Sequence, residues 1–336
     1  MAEVFLAIPL FLVAVVVTSL VRILAIQTQT LALPTQRSSH TMPTPVGGGV
    51  AIVVSYVVVL AILASTRDLA LPEIVVLAAG LPVAIVGLVD DRLHLSAWLR
   101  LAIQFICAFF AVMYAGDIPP LLIGEFQIHG LIFVWVLLPM ALVWMSNLYN
   151  FMDGIDGIAG MEAAFVSFAA AVFLFANGDV LLGLLCLGLF SGAAGFLVWN
   201  WPPAKIFMGD VGSGFLGLTF AVIALLSHVH GSMSLWAWFL LLACFITDAS
   251  VTLLRRIVAG NAVFVAHRQH AYQHASRNSG SHLGITLSVF AINVFWLLPL
   301  AWLANVHPEH GVYFASIGIV PLLALVHRLG AGKENV

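Results

Sequence analysis

Long apolar stretches limit, more than any other feature, what this chain can fold into. A helix of about 20 residues crosses a hydrocarbon core of about 30 Å, and the apolar stretches here run to roughly 18–24 residues. A membrane β-barrel would instead show short segments of alternating hydrophobicity. The sequence therefore predicts an all-α polytopic membrane protein with about eleven transmembrane helices, near residues 4–26, 47–65, 72–89, 97–116, 130–148, 158–176, 180–199, 212–229, 234–256, 283–304 and 311–329.

Composition excludes other classes of protein. Charged residues make up 8% of the chain and hydrophobic residues 62%, whereas soluble domains average about 25% charged residues. The net charge of −3 argues against a nucleic-acid partner. Cys107, Cys186 and Cys244 lie inside apolar stretches, and we interpret them as small hydrophobic residues. We expect residues 1–336 to form a single integral-membrane domain.

The basic residues predict the orientation of these helices. Under the positive-inside rule the side rich in Lys and Arg is cytoplasmic, and an odd number of spans then places the N-terminus in the periplasm and the C-terminus in the cytoplasm. The cytoplasmic connections are predicted near 27–46, 90–96, 149–157, 200–211 and 257–282. Only Arg67 falls on the other side, while eleven of the twelve Lys and Arg residues share one side: Arg22, Arg37, Arg92, Arg100, Lys205, Arg255, Arg256, Arg268, Arg277, Arg328 and Lys333.

Five aspartates far apart in the sequence fall on that same side. Asp90 and Asp91 end a span in GLVDDR, Asp153 and Asp156 lie in NLYNFMDGIDGIAG, and Asp210 lies in KIFMGDVGSG. Capping of the following helix would explain Asp156 or Asp210. It does not explain Asp90 and Asp91, because carboxylates at the end of a helix oppose its macrodipole. Repelling carboxylates are tolerated where a cation or a proton lies among them.

The donor chemistry of this cluster indicates a metal and phosphates. Oxygen ligands without cysteine select a hard cation, for which Mg²⁺ fits best and Mn²⁺ is the alternative. Since Mg²⁺ takes only one or two protein carboxylates beside substrate phosphates, the five aspartates cannot all be ligands. Glycines beside Asp153, Asp156 and Asp210 allow the backbone to approach a phosphate closely. Together these residues predict a site for Mg²⁺ and a diphosphate.

A segment rich in histidine follows the ninth predicted span. His267, His270 and His274 share one face if the segment is helical, and we expect Phe264 to help cover a ring there. Binding of a phosphate or nucleotide is the favoured interpretation; a solvated surface helix and a zinc site are the alternatives. Asp248, inside the ninth span, is interpreted either as part of a binding site or as the partner of a nearby arginine.

Five motifs resemble those of one enzyme family, in the same order and spacing: PTPVGGG (43–49), GLVDDR (87–92), NLYNFMDGIDGIAG (147–160), KIFMGDVGSG (205–214) and HRQHAYQH (267–274). The family is that of the polyprenyl-phosphate N-acetylhexosamine-1-phosphate transferases, glycosyltransferase family 4. The version HRQHAYQHASR is most similar to the branch that initiates O-antigen synthesis in Gram-negative bacteria.

The resemblance implies roles for individual residues. Asp210 matches the metal-binding aspartate, and Asp90, Asp91, Asp153 and Asp156 match catalytic positions, with Asp90 activating the lipid phosphate. Arg268 stands where other branches are richer in histidine. The residues expected to bind substrate are Asn150, Lys205, Gly209, His267, Arg268 and His270.

The expected reaction joins N-acetylhexosamine-1-phosphate from a UDP-sugar to undecaprenyl phosphate and releases UMP, at the cytoplasmic face of the bacterial inner membrane. Sequence leaves open the sugar, the choice between single and double displacement, and a homodimer. A secondary transporter or lipid flippase is the alternative function. A CDP-alcohol phosphotransferase is a second alternative, although its DG…AR…G…D…D run is absent from the sequence.

Overall fold

The computed structural model describes residues 5–34, 42–261 and 267–333. Arg37 and Phe264, which entered the predictions above, lie outside the described residues. Within these ranges the fold is almost entirely helical, with fifteen α-helices: α1 Ala7–Gln27, α2 Val50–Thr66, α3 Leu71–Leu77, α4 Gly80–Leu93, α5 Ala97–Tyr114, α6 Leu138–Phe151, α7 Ile158–Ala176, α8 Val180–Asn200, α9 Asp210–Val229, α10 Leu235–Leu241, α11 Ala243–Val258, α12 Ala271–Ser279, α13 His282–Ile292, α14 Leu298–Val306 and α15 Gly311–Arg328.

Short strands and π-helical turns complete the described secondary structure. Strand β1 (Leu31–Ala32) pairs antiparallel with β2 (Thr44–Pro45). Strand β3 (Leu121–Ile123) pairs with β4 (Phe126–Ile128) across a turn in which Gly124 has a positive φ of 60°. Two π-helical turns continue into longer helices, Phe133–Leu137 into α6 and α13 through Asn293–Leu297 into α14.

The predicted polytopic, all-α class is confirmed. Nine helices in the described ranges are long and apolar enough to cross a membrane, and α10 and α11 form a tenth candidate that bends by 77° between them. The stretch predicted at 47–65 holds α2, which at 17 residues is slightly short for a span. The count of eleven and the orientation of the termini therefore stay predictions.

The centre of the fold consists of α7, α8 and α9, the most deeply buried of the candidate spans. Helices α1 and α2 pack on α8, whereas α4 and α6 pack on α9. Because lipid provides no hydrophobic force between helices, close contact of backbones at small residues contributes strongly to such packing. A Cβ atom added to Gly87 of α4 would lie 2.4 Å from the carbonyl oxygen of Asp210. Glycine at position 87 therefore allows α4 to lie directly against the start of α9.

A separate polar cluster joins the start of α8 to the residues that follow α9. The Asp179 carboxylate caps α8 by accepting the Leu182 N–H, and its other oxygen accepts a hydrogen bond from the Ser232 hydroxyl at 2.8 Å. His230 Nδ1 lies 2.8 Å from that same oxygen. The hydrogen bond to Asp179 raises the pKa of His230 against the effect of burial. Burial raises the pKa of Asp179, but hydrogen bonds from His230, Leu182 and Ser232 outweigh it and lower the pKa overall.

This cluster predicts a pH-dependent stability. A raised pKa of His230 stabilises the fold below the unfolded value of about 6.5, and that contribution is lost as pH rises through the folded pKa. A lowered pKa of Asp179 has the opposite sign and matters only at acid pH, where its contribution is lost as pH falls through the folded pKa. We expect the thermal midpoint of the detergent-solubilised protein to fall as pH rises from about 6 to about 9.

The matched variants are His230→Asn and His310→Asn, since His310 is an exposed histidine near the same end. His230→Asn should reduce the slope of midpoint against pH, and His310→Asn should leave it close to that of the wild type. An unchanged slope in His230→Asn would show that the Asp179 pair does not control this dependence.

Candidate active site

All five predicted aspartates line one cavity of about 470 Å³, here named the acidic cavity. Asp90 and Asp91 come from the last turn of α4, Asp210 is the first residue of α9, and Asp153 and Asp156 lie in the connection between α6 and α7. Three segments far apart in the sequence therefore present their carboxylates to one space. The roles of the individual aspartates stay predictions, which the contacts below make more specific.

Asp91 caps the N-terminus of α9. Its Oδ1 accepts the Asp210 N–H at 2.9 Å, and its Oδ2 accepts the Val211 N–H at 3.5 Å. Gly209 precedes the helix with a positive φ of 77°, and a Cβ atom there would lie 2.5 Å from Asp91 Oδ2. A carboxylate is favourable at the N-terminus of a helix. Asp91 therefore opposes the macrodipole of α4, near whose end it lies, but complements the macrodipole of α9, which it caps. The cap of α9 comes from α4 and not, as considered from sequence, from Asp210 itself.

Arg100 joins Asp90 to Asp210. Its Nη1 donates to Asp90 Oδ2 at 2.5 Å and to Asp210 Oδ2 at 2.9 Å. The second oxygen of Asp90 accepts the Leu95 N–H at 2.5 Å, and that of Asp210 accepts a hydrogen bond from Asn150 Nδ2 at 2.8 Å. The repulsion expected between these carboxylates is thus offset by one shared guanidinium. The sequence predicts that Arg100 lies on the same side as the aspartates but does not predict this role; its position one turn into the span after the Asp90–Asp91 pair was the available signal.

Asp153 and Asp156 differ in their surroundings. Asp156 Oδ2 accepts the Ala204 N–H at 3.0 Å, and the Asp156 N–H donates to His282 Nδ1 at 3.3 Å, which fastens this loop to its neighbours. Burial, together with the charges of Asp210, Asp91 and Asp156, raises the pKa of Asp153 well above its ordinary value. Asp153 therefore keeps or takes a proton more readily than an ordinary aspartate does.

Known proteins resemble this chain over most of its length. A decaprenyl-phosphate N-acetylglucosaminephosphotransferase of Mycolicibacterium smegmatis is 30% identical over 313 residues, which cover 81% of this chain and 75% of that protein. A Bacillus subtilis protein named "Probable undecaprenyl-phosphate N-acetylglucosaminyl 1-phosphate transferase" is 28% identical over 291 residues, with coverage of 84% and 79%. A phospho-N-acetylmuramoyl-pentapeptide-transferase of Streptococcus pneumoniae is 34% identical over 199 residues, with coverage of 55% and 60%.

The profile of glycosyl transferase family 4 matches residues 73–228, which include all five aspartates. The chain belongs to this family. It is a multi-pass membrane enzyme that transfers a sugar-1-phosphate to a polyprenyl phosphate.

Only some of the substrate-binding residues predicted for this transferase line the acidic cavity. Asn150 and Gly209 do so. Lys205 does not; its ammonium lies 5.6 Å from the ring centroid of Trp199, which Arg22 also approaches. Four polar residues that line the cavity were not predicted as site residues from the sequence: His94, Asn200, Gln273 and His282.

The histidine segment is arranged differently from the prediction. Helix α12 begins only at Ala271, so His267, His270 and His274 do not lie along one helical face, and that prediction is wrong. His270 is the extended residue before the helix, with ψ of 148°, and its ring stacks on that of His267 at 5.0 Å between centroids. Burial, with the charges of His270 and Arg256, lowers the pKa of His267 to about 4. His267 is therefore neutral at neutral pH and contributes no fixed positive charge. His267, Arg268 and His270 do not line the acidic cavity; Gln273 is the residue of this segment that does.

The donor atoms of the acidic cavity fit Mg²⁺. Carboxylate and amide oxygens predominate over the two histidines of the lining, and two carboxylates already converge on one cationic group, that of Arg100. Within residues 5–34, 42–261 and 267–333, no three His, Cys, Asp or Glu side chains converge closely enough to hold a metal ion by themselves. Mg²⁺ does not require such a set, since it retains waters and uses substrate phosphates as ligands.

The Arg100 bridge predicts a large loss of activity on substitution. Arg100→Ala leaves Asp90 and Asp210 without their shared cation, and we expect transfer to fall by about a hundredfold or more. Arg100→Lys should recover only part of this activity, because an ammonium lacks the rigid fork of a guanidinium. Initial rates on purified protein measure both effects. The control is Arg92→Ala, which removes an exposed arginine at the end of α4 and should retain most activity. Equal losses of activity in Arg92→Ala and Arg100→Ala would contradict a specific role of Arg100.

Proposed function

We propose that this transferase moves an N-acetylhexosamine-1-phosphate from a UDP-sugar to undecaprenyl phosphate and releases UMP. The observation that carries the proposal is the Asp90–Arg100–Asp210 bridge, which combines a fixed cation with carboxylates at the wall of a cavity next to the membrane spans. The names of the relatives from Bacillus subtilis and Mycolicibacterium smegmatis, which contain N-acetylglucosamine and a polyprenyl phosphate, support the choice of substrates.

The lipid phosphate is proposed to bind on the side of α5 and α6. A narrow cavity between these helices is lined by Arg100, Gln104, Asn147 and Asn150, and it shares Asp210 with the acidic cavity. Asn147 Nδ2 donates to Gln104 Oε1 at 2.7 Å across it. Arg100 lines the narrow cavity and contacts Asp90 and Asp210 of the acidic cavity, so an anionic headgroup in the narrow cavity would contact a guanidinium directly.

The prenyl tail is proposed to follow the same two helices into the membrane. A larger apolar cavity of about 540 Å³ lies between α5 and the start of the α6 span. Its lining residues are all apolar: Phe105, Ile106, Phe109, Phe110, Trp135, Val136, Pro139 and Met140. Polar lining near Arg100 followed by apolar lining further along the helices matches the polarity of a polyprenyl phosphate.

The nucleotide sugar is proposed to bind on the opposite wall. Gln273, His282 and Asn200 line that wall together with the loop that carries Asp153 and Gly154. These residues supply hydrogen-bonding groups suited to a uracil, ribose or sugar.

The reaction follows from these positions. An oxygen of the lipid phosphate attacks the sugar-bearing phosphorus, and the bond from that phosphorus to the oxygen of UMP breaks, so UMP leaves with the electron pair. Arg100 and Asn150 orient the reacting groups, and such positioning supplies much of the catalysis in phosphoryl transfer. Mg²⁺ held by Asp210, in exchange for one of the hydrogen bonds that it accepts from Arg100 and Asn150, would neutralise negative charge on the diphosphate.

Asp153 is proposed to accept the proton when the lipid phosphate is protonated. Asp90 was predicted for this role, but both of its oxygens are held, by Arg100 and by the Leu95 N–H. A general base needs an oxygen that can reach the proton it takes. Asp90 then orients Arg100. Attack by an aspartate in a double displacement is the second path, and a covalent phospho-sugar adduct on the enzyme without lipid would reveal it.

The pH profiles of two variants distinguish Asp153 from Asp90. Activity that requires the Asp153 carboxylate should rise as pH increases through its raised pKa and then level off. We expect Asp153→Asn to remove this rising limb, measured as kcat/KM against pH, and Asp90→Asn to lower the profile while keeping its shape. The reverse result would return the role of base to Asp90.

A radiolabel assay tests the function itself. Purified enzyme with labelled UDP-N-acetylglucosamine, undecaprenyl phosphate and Mg²⁺ should yield labelled lipid and UMP, and a panel of UDP-N-acetylhexosamines identifies the sugar. Chelation with EDTA and Asp210→Ala should each abolish the product. Accumulation of label inside proteoliposomes without UMP release would favour the transporter alternative.

The cellular setting is proposed from sequence alone. The basic residues support an acidic cavity that faces the cytoplasm of a bacterial inner membrane. Initiation of O-antigen synthesis rests on the resemblance of the histidine segment and stays a prediction.

A further inference from the structure

Asp248 is a buried carboxylate inside the membrane-spanning part of α11, with 4% of its surface exposed. Burial of a charge at such a position costs free energy and requires strong partners. Of the nearby arginines, Arg255 donates to the Ala331 carbonyl and contacts His327, and Arg256 donates to Gln269. The partners of Asp248 outside α11 lie in the histidine segment.

The Asp248 carboxylate caps α12 from another helix. Its Oδ1 accepts the Ala271 N–H and its Oδ2 accepts the Tyr272 N–H, both at 2.9 Å. The Thr252 hydroxyl donates to Oδ1 at 3.1 Å, and His270 Nδ1 lies 3.4 Å from the same oxygen. An anionic cap stabilises the first N–H groups of a helix, so Asp248 determines where α12 begins.

The residues that Asp248 holds reach the wall of the acidic cavity. The Tyr272 hydroxyl donates to the Phe151 carbonyl at 3.0 Å. A Cβ atom on Gly154 would lie 2.1 Å from that hydroxyl and 2.8 Å from Gln273 Nε2. The first turn of α12 is thus packed against the loop that carries Asp153, and Gln273 itself lines the cavity.

We propose that Asp248 is a positioning residue for the nucleotide-sugar side of the site. Its carboxylate holds Tyr272 and Gln273 against the Asp153–Gly154 loop, so a contact inside the membrane determines the shape of the wall that receives the donor. Asp248 touches neither substrate. The inference rests on the proposed function, because it assigns the donor to this wall.

The test compares Asp248→Asn with Thr252→Val. Asparagine preserves shape but replaces one acceptor oxygen with a donor, which opposes an N–H of Ala271 or Tyr272. Thr252→Val removes a partner of Asp248 that lies on α11 itself. We expect Asp248→Asn to raise the KM for the UDP-sugar about tenfold or more with little change in the KM for undecaprenyl phosphate, and Thr252→Val to change neither KM by more than about twofold.

A double-mutant cycle separates this role from general destabilisation. Tyr272→Phe removes only the hydroxyl that contacts Phe151, and if Asp248 acts through Tyr272, its effect should be smaller in Asp248→Asn than in the wild type. His310→Ala, at the opposite end, should combine with Asp248→Asn multiplicatively. The thermal midpoint of each variant verifies that the protein is folded, and Asp248→Glu serves as the charge-preserving variant if Asp248→Asn does not fold.

The outcomes separate two failures. A wild-type enzyme that releases no UMP with any UDP-N-acetylhexosamine would refute the proposed function. If the wild type is active, equal increases in both KM values in Asp248→Asn would overturn the role of Asp248 alone. Multiplicative effects of Asp248→Asn and Tyr272→Phe would overturn it as well. For Asp248→Glu, a KM for the UDP-sugar like that of the wild type would support the role, and equal increases in both KM values would contradict it.

Discussion

The site depends on one interaction, the capping of α9 by the Asp91 carboxylate. This contact fixes the last turn of α4 beside the first turn of α9 and so brings Asp90 within reach of the guanidinium that also holds Asp210. It requires that the two backbones approach closely, which the absence of a side chain at Gly87 allows. The same hydrogen bonds resolve an electrostatic conflict, because the negative charge at the end of α4 lies at the positive end of α9.

Charge balance in the cavity explains why its aspartates differ. The N-terminus of α9 offsets the negative charge of Asp91, and Arg100 offsets those of Asp90 and Asp210. The Ala204 N–H donates a hydrogen bond to Asp156 and offsets its charge in part. Asp153 has no comparable donor among the contacts that shift its pKa. The carboxylates of one cavity therefore have different hydrogen-bond partners, which allows a site of identical side chains to divide its chemistry.

Sequence predicted the features that lipid imposes directly. Long apolar stretches must be helical in a bilayer, so most helices lie in the predicted apolar stretches. The stretch predicted at 234–256 is divided between α10 and α11, which bend by 77°. The aspartates meet because their segments end on the same side. Sequence could not predict the caps that Asp91 and Asp248 supply to other helices, since these contacts join residues 119 and 23 positions apart and depend on how helices pack. The start of the helix in the histidine segment was not predicted for the same reason. The Asp248 cap at Ala271 sets the start of α12, and the spacing of the histidines alone does not show it.

The two walls of the cavity are built from different kinds of structure. On the lipid side Arg100 and Gln104 belong to a continuous span, whose geometry a bilayer constrains strongly. On the donor side Asp153 lies in a loop, and Gln273 belongs to a short helix that a buried carboxylate holds in place. Loops tolerate substitution far better than spans do. Substitutions in the proposed donor wall should therefore disturb the helix packing less than substitutions in the proposed lipid wall, provided that Asp248 continues to hold α12.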